Sequence, residues 1–435
     1  MRLFFSNPLG IFILFALICF STLMLRTQYL IHTQVNSPIR ADAAQYTIYA
    51  YNLKTHGVFS KTLADSPVPD AYRSPGYPML LSQIITWAPE AFYPTTLYVQ
   101  AILSALTAGL TFLAGLFFLP LGWALAGGIL VAISPHLMSL TGYVLTETLT
   151  AFWMILGFYL WFTALERRSK KLWMGAGLAW GMAVLTNETL LFFPFFAVGI
   201  WTFFQFKNSS KSHRPAMAGI LIFILCLSLF PLGWQIRNQM NLPPEAERGS
   251  HRARATLIHG SYPEFILDDP ARKYYPHYGD PEYPAMVESA PHMLQVLTDR
   301  IMDRPWRYLS WYLFEKPYYV WSWNILQGQG DVYIYPVNTS WYQTVTWANV
   351  TRLFMKLTHP LILIITALGF VLALSYGSGN NPPFHLWMFG ICIYVTLVYT
   401  VFAPWPRYTI PLRPELYLCF LWSLHQGRTI FARKG

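Results

Sequence analysis

The sequence predicts an all-α polytopic membrane protein of about ten transmembrane helices, with amphipathic juxtamembrane helices in the first outer loop and a small mixed domain outside the bilayer. Three observations predict it. Of 435 residues, 54% are hydrophobic and 17% aromatic. Only 11% are charged, less than half the roughly 25% of soluble domains. The apolar residues gather into stretches near the roughly 20 that a helix needs to cross a hydrocarbon core about 30 Å thick.

Ten such stretches lie close to residues 8–31, 95–118, 122–138, 146–165, 172–186, 189–206, 215–235, 358–376, 386–403 and 410–425. The first is long for a signal peptide and lacks a small-residue cleavage site, so it reads as an uncleaved anchor. Ten crossings put segments 166–171, 207–214 and 426–435 on the side of the N-terminus, where short basic loops belong. With Arg2 they hold eleven basic residues and one acid, Glu166. That accounts for the whole formal charge of +10, so the basic excess orients the chain and implies no nucleic acid.

Three parts follow. Residues 1–235 form an N-terminal membrane module whose first outer loop is 32–94. Residues 236–357 form the outer domain, and 358–435 the last membrane helices. Within the outer domain, Trp306–Trp323 carries nine aromatics in 18 residues, mixed with Arg307, Glu315 and Lys316. That mixture suits a helix in the headgroup region rather than an eleventh crossing.

Cys19, Cys226, Cys392 and Cys419 sit in apolar runs without zinc or redox spacing. The eleven histidines include no pair at metal-binding helical spacing. No Gly-rich phosphate loop or dinucleotide fingerprint occurs, which argues against a nucleotide-sugar donor.

The densest polar cluster outside the late domain is the first outer loop. It reads Arg40-Ala-Asp42-Ala-Ala-Gln45-Tyr46, a helical stretch ending at Gly57, then Asp70-Ala-Tyr72-Arg73-Ser-Pro-Gly-Tyr77-Pro. By itself Asp42 also suits a helix N-cap or a pair with Arg40. Glu147 and Glu188 open spans at their outer ends, where the helix dipole favours an acid. Asp42, the Arg-Ser-Pro-Gly-Tyr-Pro run, Thr146-Glu147, Thr186-Asn-Glu188-Thr and Pro406-Arg407-Tyr408 together resemble, in order and topology, GT-C glycosyltransferases. Among these are the bacterial members related to protein O-mannosyltransferases and to the lipid A aminoarabinose transferase.

The resemblance implies a GT-C fold and a glycosyltransferase in the bacterial inner membrane, both termini cytoplasmic and the active site periplasmic. Such an enzyme moves a sugar from a polyprenyl-phosphate donor to a lipid, glycan or protein acceptor. Membrane lipids are partners and nucleic acid is not. The family's catalytic aspartate falls on Asp42, a base for the acceptor hydroxyl. Arg73 and Arg407 fall where cations stabilise the leaving phosphate. Glu147, Glu188, Tyr46, Tyr77, His259 and Tyr408 are expected to line the acceptor or donor pocket. Ala43 stands where relatives carry a second acid, so a divalent metal lacks a ligand cluster and no cofactor is assigned. The rival readings are a secondary transporter, disfavoured by the large outer domain, and a non-catalytic assembly subunit.

Overall fold

A computed structural model describes residues 8–207, 214–265, 276–326, 329–375 and 384–432. Arg2, Lys211, Arg433 and Lys434, four of the inner charges, lie outside them. The first half runs α1 Pro8–His32, β1 Gln34–Val35, α2 Ala41–His56, α3 Gly76–Trp87, α4 Phe92–Gly115, α5 Leu121–Ile133, α6 Pro135–Leu140, α7 Glu147–Arg167, α8 Lys170–Thr186, α9 Phe193–Lys207 and α10 Arg214–Asn241. The second runs α11 Gly249–Gly260, α12 Tyr283–Glu288, α13 Ala290–Asp303, α14 Pro305–Ser310, α15 Lys316–Val320, β2 Val337–Thr339, α16 Trp341–Thr344, α17 Thr346–Ser375, α18 Phe384–Val401 and α19 Arg413–Ala432.

Among the described residues, six helices are long and apolar enough to cross a membrane: α1, α4, α7, α18, and most of α10 and of α17. The 25 residues of α1 span about 37 Å at 1.5 Å per residue, enough for a bilayer core. Leu9, Phe12, Leu17 and Phe20 of α1 are exposed, as lipid contact requires. The protein is a polytopic, mostly helical membrane protein.

The helices meet through small residues and a few buried polar ties. A Cβ at Gly177 of α8 would lie 2.5 Å from the Phe223 carbonyl oxygen of α10, so only glycine permits this approach. The stretch 122–138 breaks at Ser134–Pro135, because Pro135 has no N–H for the Val131 carbonyl. Arg26 of α1, fully buried, takes over there, donating to Val131 O at 3.0 Å, Ala132 O at 2.6 Å and Ser104 Oγ at 3.0 Å. A charge inside the bundle thereby ties α1 to α4 and to the open end of α5.

The first outer loop is fastened to the outer domain by the antiparallel pair β1–β2, with Gln34 opposite Thr339 and Val35 opposite Val337. The aromatic segment is helical from Pro305 to Val320, with a π turn at Trp311–Glu315 joining α14 to α15. Lys316, buried, donates to the Thr400, Val401 and Phe402 carbonyls at 2.8 to 3.0 Å. Its cation caps the C-terminus of α18, where the dipole is negative, and fixes the start of the segment that carries Arg407.

Candidate active site

Asp42 lies in the first turn of α2. The N-cap residue is Arg40, whose side chain supplies no cap, and Ala41 sits at φ +47°, an unusual backbone for a residue with a side chain. The cap comes from the outer domain. Tyr335 Oη donates to Arg40 O at 3.0 Å and accepts a long 3.5 Å bond from the Ala43 N–H, while its ring lies 5.2 Å from the Arg40 guanidinium. At the other end, Gly57 takes φ +68° and closes the helix on Asn52 O.

The Asp42 carboxylate is neither an N-cap nor a partner of Arg40. Oδ1 accepts from Arg73 Nη2 at 2.6 Å, and Oδ2 from Arg407 Nη2 at 2.6 Å. Arg73 is oriented by Gln45, whose Oε1 receives Nε at 2.8 Å and Nη2 at 2.6 Å, and by the ring of Tyr46 at 5.2 Å. Gln45 and Asp42 are three apart on one face of α2, so one helix presents both acceptors to the same guanidinium. Arg407 belongs to the 3₁₀ segment Pro406–Leu412, held by Thr409 Oγ1 donating to Val320 O at 2.7 Å.

Glu147 opens α7 beside this pair. Its Oε1 lies 3.0 Å from Arg407 Nε, an ion pair without hydrogen-bond alignment, and its Oε2 is buried with no hydrogen bond among the described residues. Burial alone would raise the Asp42 pKa, but the Arg407 and Arg73 guanidiniums outweigh it and hold the carboxyl well below the usual carboxylate range. The Asp42 side chain keeps 24% exposure, against 9% for Arg407 and 6% for Glu147, so Asp42 is the member of the trio open to a ligand.

The other expected residues divide. Glu188 begins a short 3₁₀ turn after α8, where Arg252 Nη2 of α11 donates to Oε1 at 2.5 Å and Ser74 Oγ to Oε2 at 3.1 Å. That places Glu188 at the loop of Arg73. Tyr46 packs edge-on against Tyr77 at 5.4 Å, and the Tyr77 hydroxyl, fully buried, donates to Gln100 Oε1 at 2.8 Å. Tyr408 stacks on Tyr399 at 4.6 Å, with the Arg407 guanidinium 5.5 Å from its ring. His259 packs with Phe265, His277 and Trp405 in the outer domain, and Trp405 lies two residues before Arg407. Among the described residues no three His, Cys, Asp or Glu side chains converge as metal ligands.

Residues 95–234 match the family described as dolichyl-phosphate-mannose-protein mannosyltransferase. No curated protein matches the chain. Two solved structures share its topology. ArnT from Cupriavidus metallidurans in the apo state has a TM-score of 0.50 at 11% identity, covering 97% of this chain and 60% of that one. The archaeal oligosaccharyltransferase AglB from Archaeoglobus fulgidus, in complex with an inhibitory peptide and a dolichol-phosphate, has a TM-score of 0.51 at 11% identity over 98% of this chain and 52% of that one. The fold is that of ArnT and AglB. The chain spans about 60% of the length of ArnT and about half that of AglB. The family match takes in Glu147 and Glu188 but neither Asp42, Arg73 nor Arg407. The assignment of those three rests on geometry.

Proposed function

We propose that the protein is a glycosyltransferase that moves a sugar from a polyprenyl-phosphate donor to an acceptor hydroxyl or amine at the periplasmic face of the bacterial inner membrane. The observation that carries it is one partly open carboxylate, Asp42, gripped on both oxygens by arginines from segments 31 and 365 residues away in sequence. A dolichol-phosphate in the complex of AglB, a fold relative, supports the donor class. The ten apolar stretches of the sequence, with the short basic segments on the side of both termini, support an outer position for this cluster.

The chemistry follows from the charges. The acceptor oxygen attacks the anomeric carbon and its proton passes to Asp42. The bond from that carbon to the phosphate oxygen breaks with its electron pair, leaving polyprenyl phosphate, and a single displacement inverts the centre. Charge grows on the leaving phosphate, so guanidiniums there stabilise the transition state more than the ground state. Two guanidiniums on Asp42 make it a poor base in the resting site. A donor phosphate that draws Arg73 and Arg407 onto its own oxygens restores the basicity of Asp42, so donor precedes acceptor.

Glu147 carries a second reading, because Oε2 is a carboxylate oxygen without a hydrogen bond among the described residues and can itself accept the proton. The deciding experiment offers polyprenyl-phosphate sugars and candidate lipid, glycan and protein acceptors to purified wild type, Asp42→Asn and Glu147→Gln. Loss confined to Glu147→Gln moves the base to Glu147. Equal turnover in all three sinks the site, and no turnover in wild type with any donor and acceptor leaves a transporter or an assembly subunit.

A further inference from the structure

A cavity of about 830 Å³ lies beside the catalytic cluster, behind the loop that carries Arg73. Its walls are apolar: Met182 and Leu185 of α8, Leu229 and Phe230 of α10, and Val58 and Met79 of the first outer loop. It faces the bilayer, because Leu225, Leu229, Leu232 and Ile236 of α10 are all more than half exposed. Its volume is within the roughly 300–1,000 Å³ of sites that enclose small molecules.

The outer end of this cavity is cationic. Arg237 lines it, its guanidinium 4.9 Å from the Trp234 ring, donating to Asp70 O at 2.9 Å, Asn238 Oδ1 at 3.0 Å and Phe59 O at 3.4 Å. All three acceptors are neutral. The nearby Asp70 carboxylate is turned to Tyr49 Oη and to the Lys61 and Tyr72 amides instead. An apolar slot open to lipid, ending in a cation that among the described residues donates only to neutral acceptors, is complementary to an anionic amphiphile.

We propose that this groove binds one acyl chain of an acidic membrane phospholipid, with its phosphate at Arg237. It is separate from the proposed donor site. Arg73 and Arg407 do not line the groove, and Arg73 points away from it to Asp42 and Gln45. The occupant touches Pro69 and Pro75, on either side of Arg73, and so braces the loop that positions it.

The test is independent of sugar transfer. Detergent-purified protein is reconstituted with photoreactive phosphatidylglycerol or phosphatidylethanolamine carrying the same diazirine acyl chain, and labelled peptides are mapped. Wild type and Asp42→Asn label at 57–79, 182–185 and 229–237, phosphatidylglycerol over phosphatidylethanolamine by about tenfold, because the ethanolamine ammonium cancels the net charge that Arg237 attracts. Arg237→Gln removes that preference. Gly233→Leu abolishes labelling with both lipids, since a side chain there meets nothing within 4 Å and fills open space without displacing the fold. Gly199→Leu, also open, is the matched control and labels as wild type. Equal labelling by the two lipids in wild type, or displacement of the probe by polyprenyl phosphate at equimolar amounts, overturns the proposal.

Discussion

Asp42 and Asp70 stand 28 residues apart in one outer loop and are held by opposite kinds of partner. Asp70 is buried, and its oxygens accept from the Tyr49 hydroxyl and from the backbone N–H groups of Lys61 at 2.8 Å and Tyr72 at 3.0 Å. All are neutral donors from its own loop, so its work is to fold that loop. Asp42 is a quarter exposed and bound by two cations, one of them from the far end of the chain. A carboxylate that only folds a loop has no need of two cations. One that must exchange them for a phosphate does.

The largest expected effect tests this contrast directly. Asp42→Asn lowers transfer by about 10²–10⁴-fold, the contribution of a general base, a loss beyond what its lower unfolding temperature accounts for. Asp70→Asn leaves turnover per folded molecule intact and costs about 1–3 kcal/mol, because one of its buried donors loses its acceptor. Single-turnover rates and thermal unfolding of both variants separate the two. If activity falls in proportion to stability in each, the contrast is broken.

Arg407→Gln comes next. It leaves Asp42 Oδ2 and the buried Glu147 Oε1 without a cation, and breaking a buried pair from one side costs about 3–5 kcal/mol. Arg73→Gln removes a cation whose carboxylate partner among the described residues is the more exposed Asp42. Its expected signature is a raised KM for the polyprenyl-phosphate donor with smaller loss of stability. Donor titrations on both variants, with unfolding curves, give the split, and identical losses would remove the distinction between the two arginines.

Tyr335→Phe has a smaller effect. It keeps the ring beside Arg40 and Tyr143 but removes the hydroxyl that caps α2, a loss of about 0.5–2 kcal/mol by analogy with side-chain caps. A shifted α2 moves Asp42 relative to both arginines, so kcat falls while donor KM holds. A kcat unchanged by the substitution would show that the geometry of Asp42 does not depend on the outer domain.

How much of this could be read in advance depended on the range of the contact. Asp42, Arg73 and Arg407 were legible because each is a rare charge at a fixed place in a recognisable order of motifs. The apolar stretches were legible because a bilayer demands length and hydropathy, although the break at Ser134–Pro135 and the 3₁₀ segment before Arg413 show that apolar composition does not fix helix continuity. Gln45, Arg252 and Tyr335 were not singled out. Gln45 needs the helical register of α2 to be paired with Arg73, and Arg252 meets Glu188 across 64 residues. Tyr335 caps a helix 295 residues upstream, through a two-stranded sheet with strands of two and three residues that carry no periodic signal. The buried Arg413 and Glu415, neither with a side-chain hydrogen bond among the described residues, lie inside a stretch taken as an ordinary span, with the Arg413 guanidinium 5.9 Å from the Trp321 ring.

The smallest effect is a pH dependence. Burial would raise the Asp42 pKa and the two guanidiniums more than reverse it, so the folded carboxyl is more acidic than the unfolded one at about 3.9. The unfolded state then binds the proton first, and the stabilisation from Asp42 is complete above the unfolded pKa and drains away as pH falls below it toward the folded one. The difference in unfolding temperature between wild type and Asp42→Asn should therefore stay constant from about pH 7 to 5 and narrow below about 4. On an Arg407→Gln background, which lacks the larger of the two lowering charges, the difference made by Asp42→Asn should narrow less below about pH 4. A difference that already narrows between pH 7 and 5 would mean that burial outweighs the arginines, and Asp42 would then be protonated too readily to sit in the resting site as a paired anion.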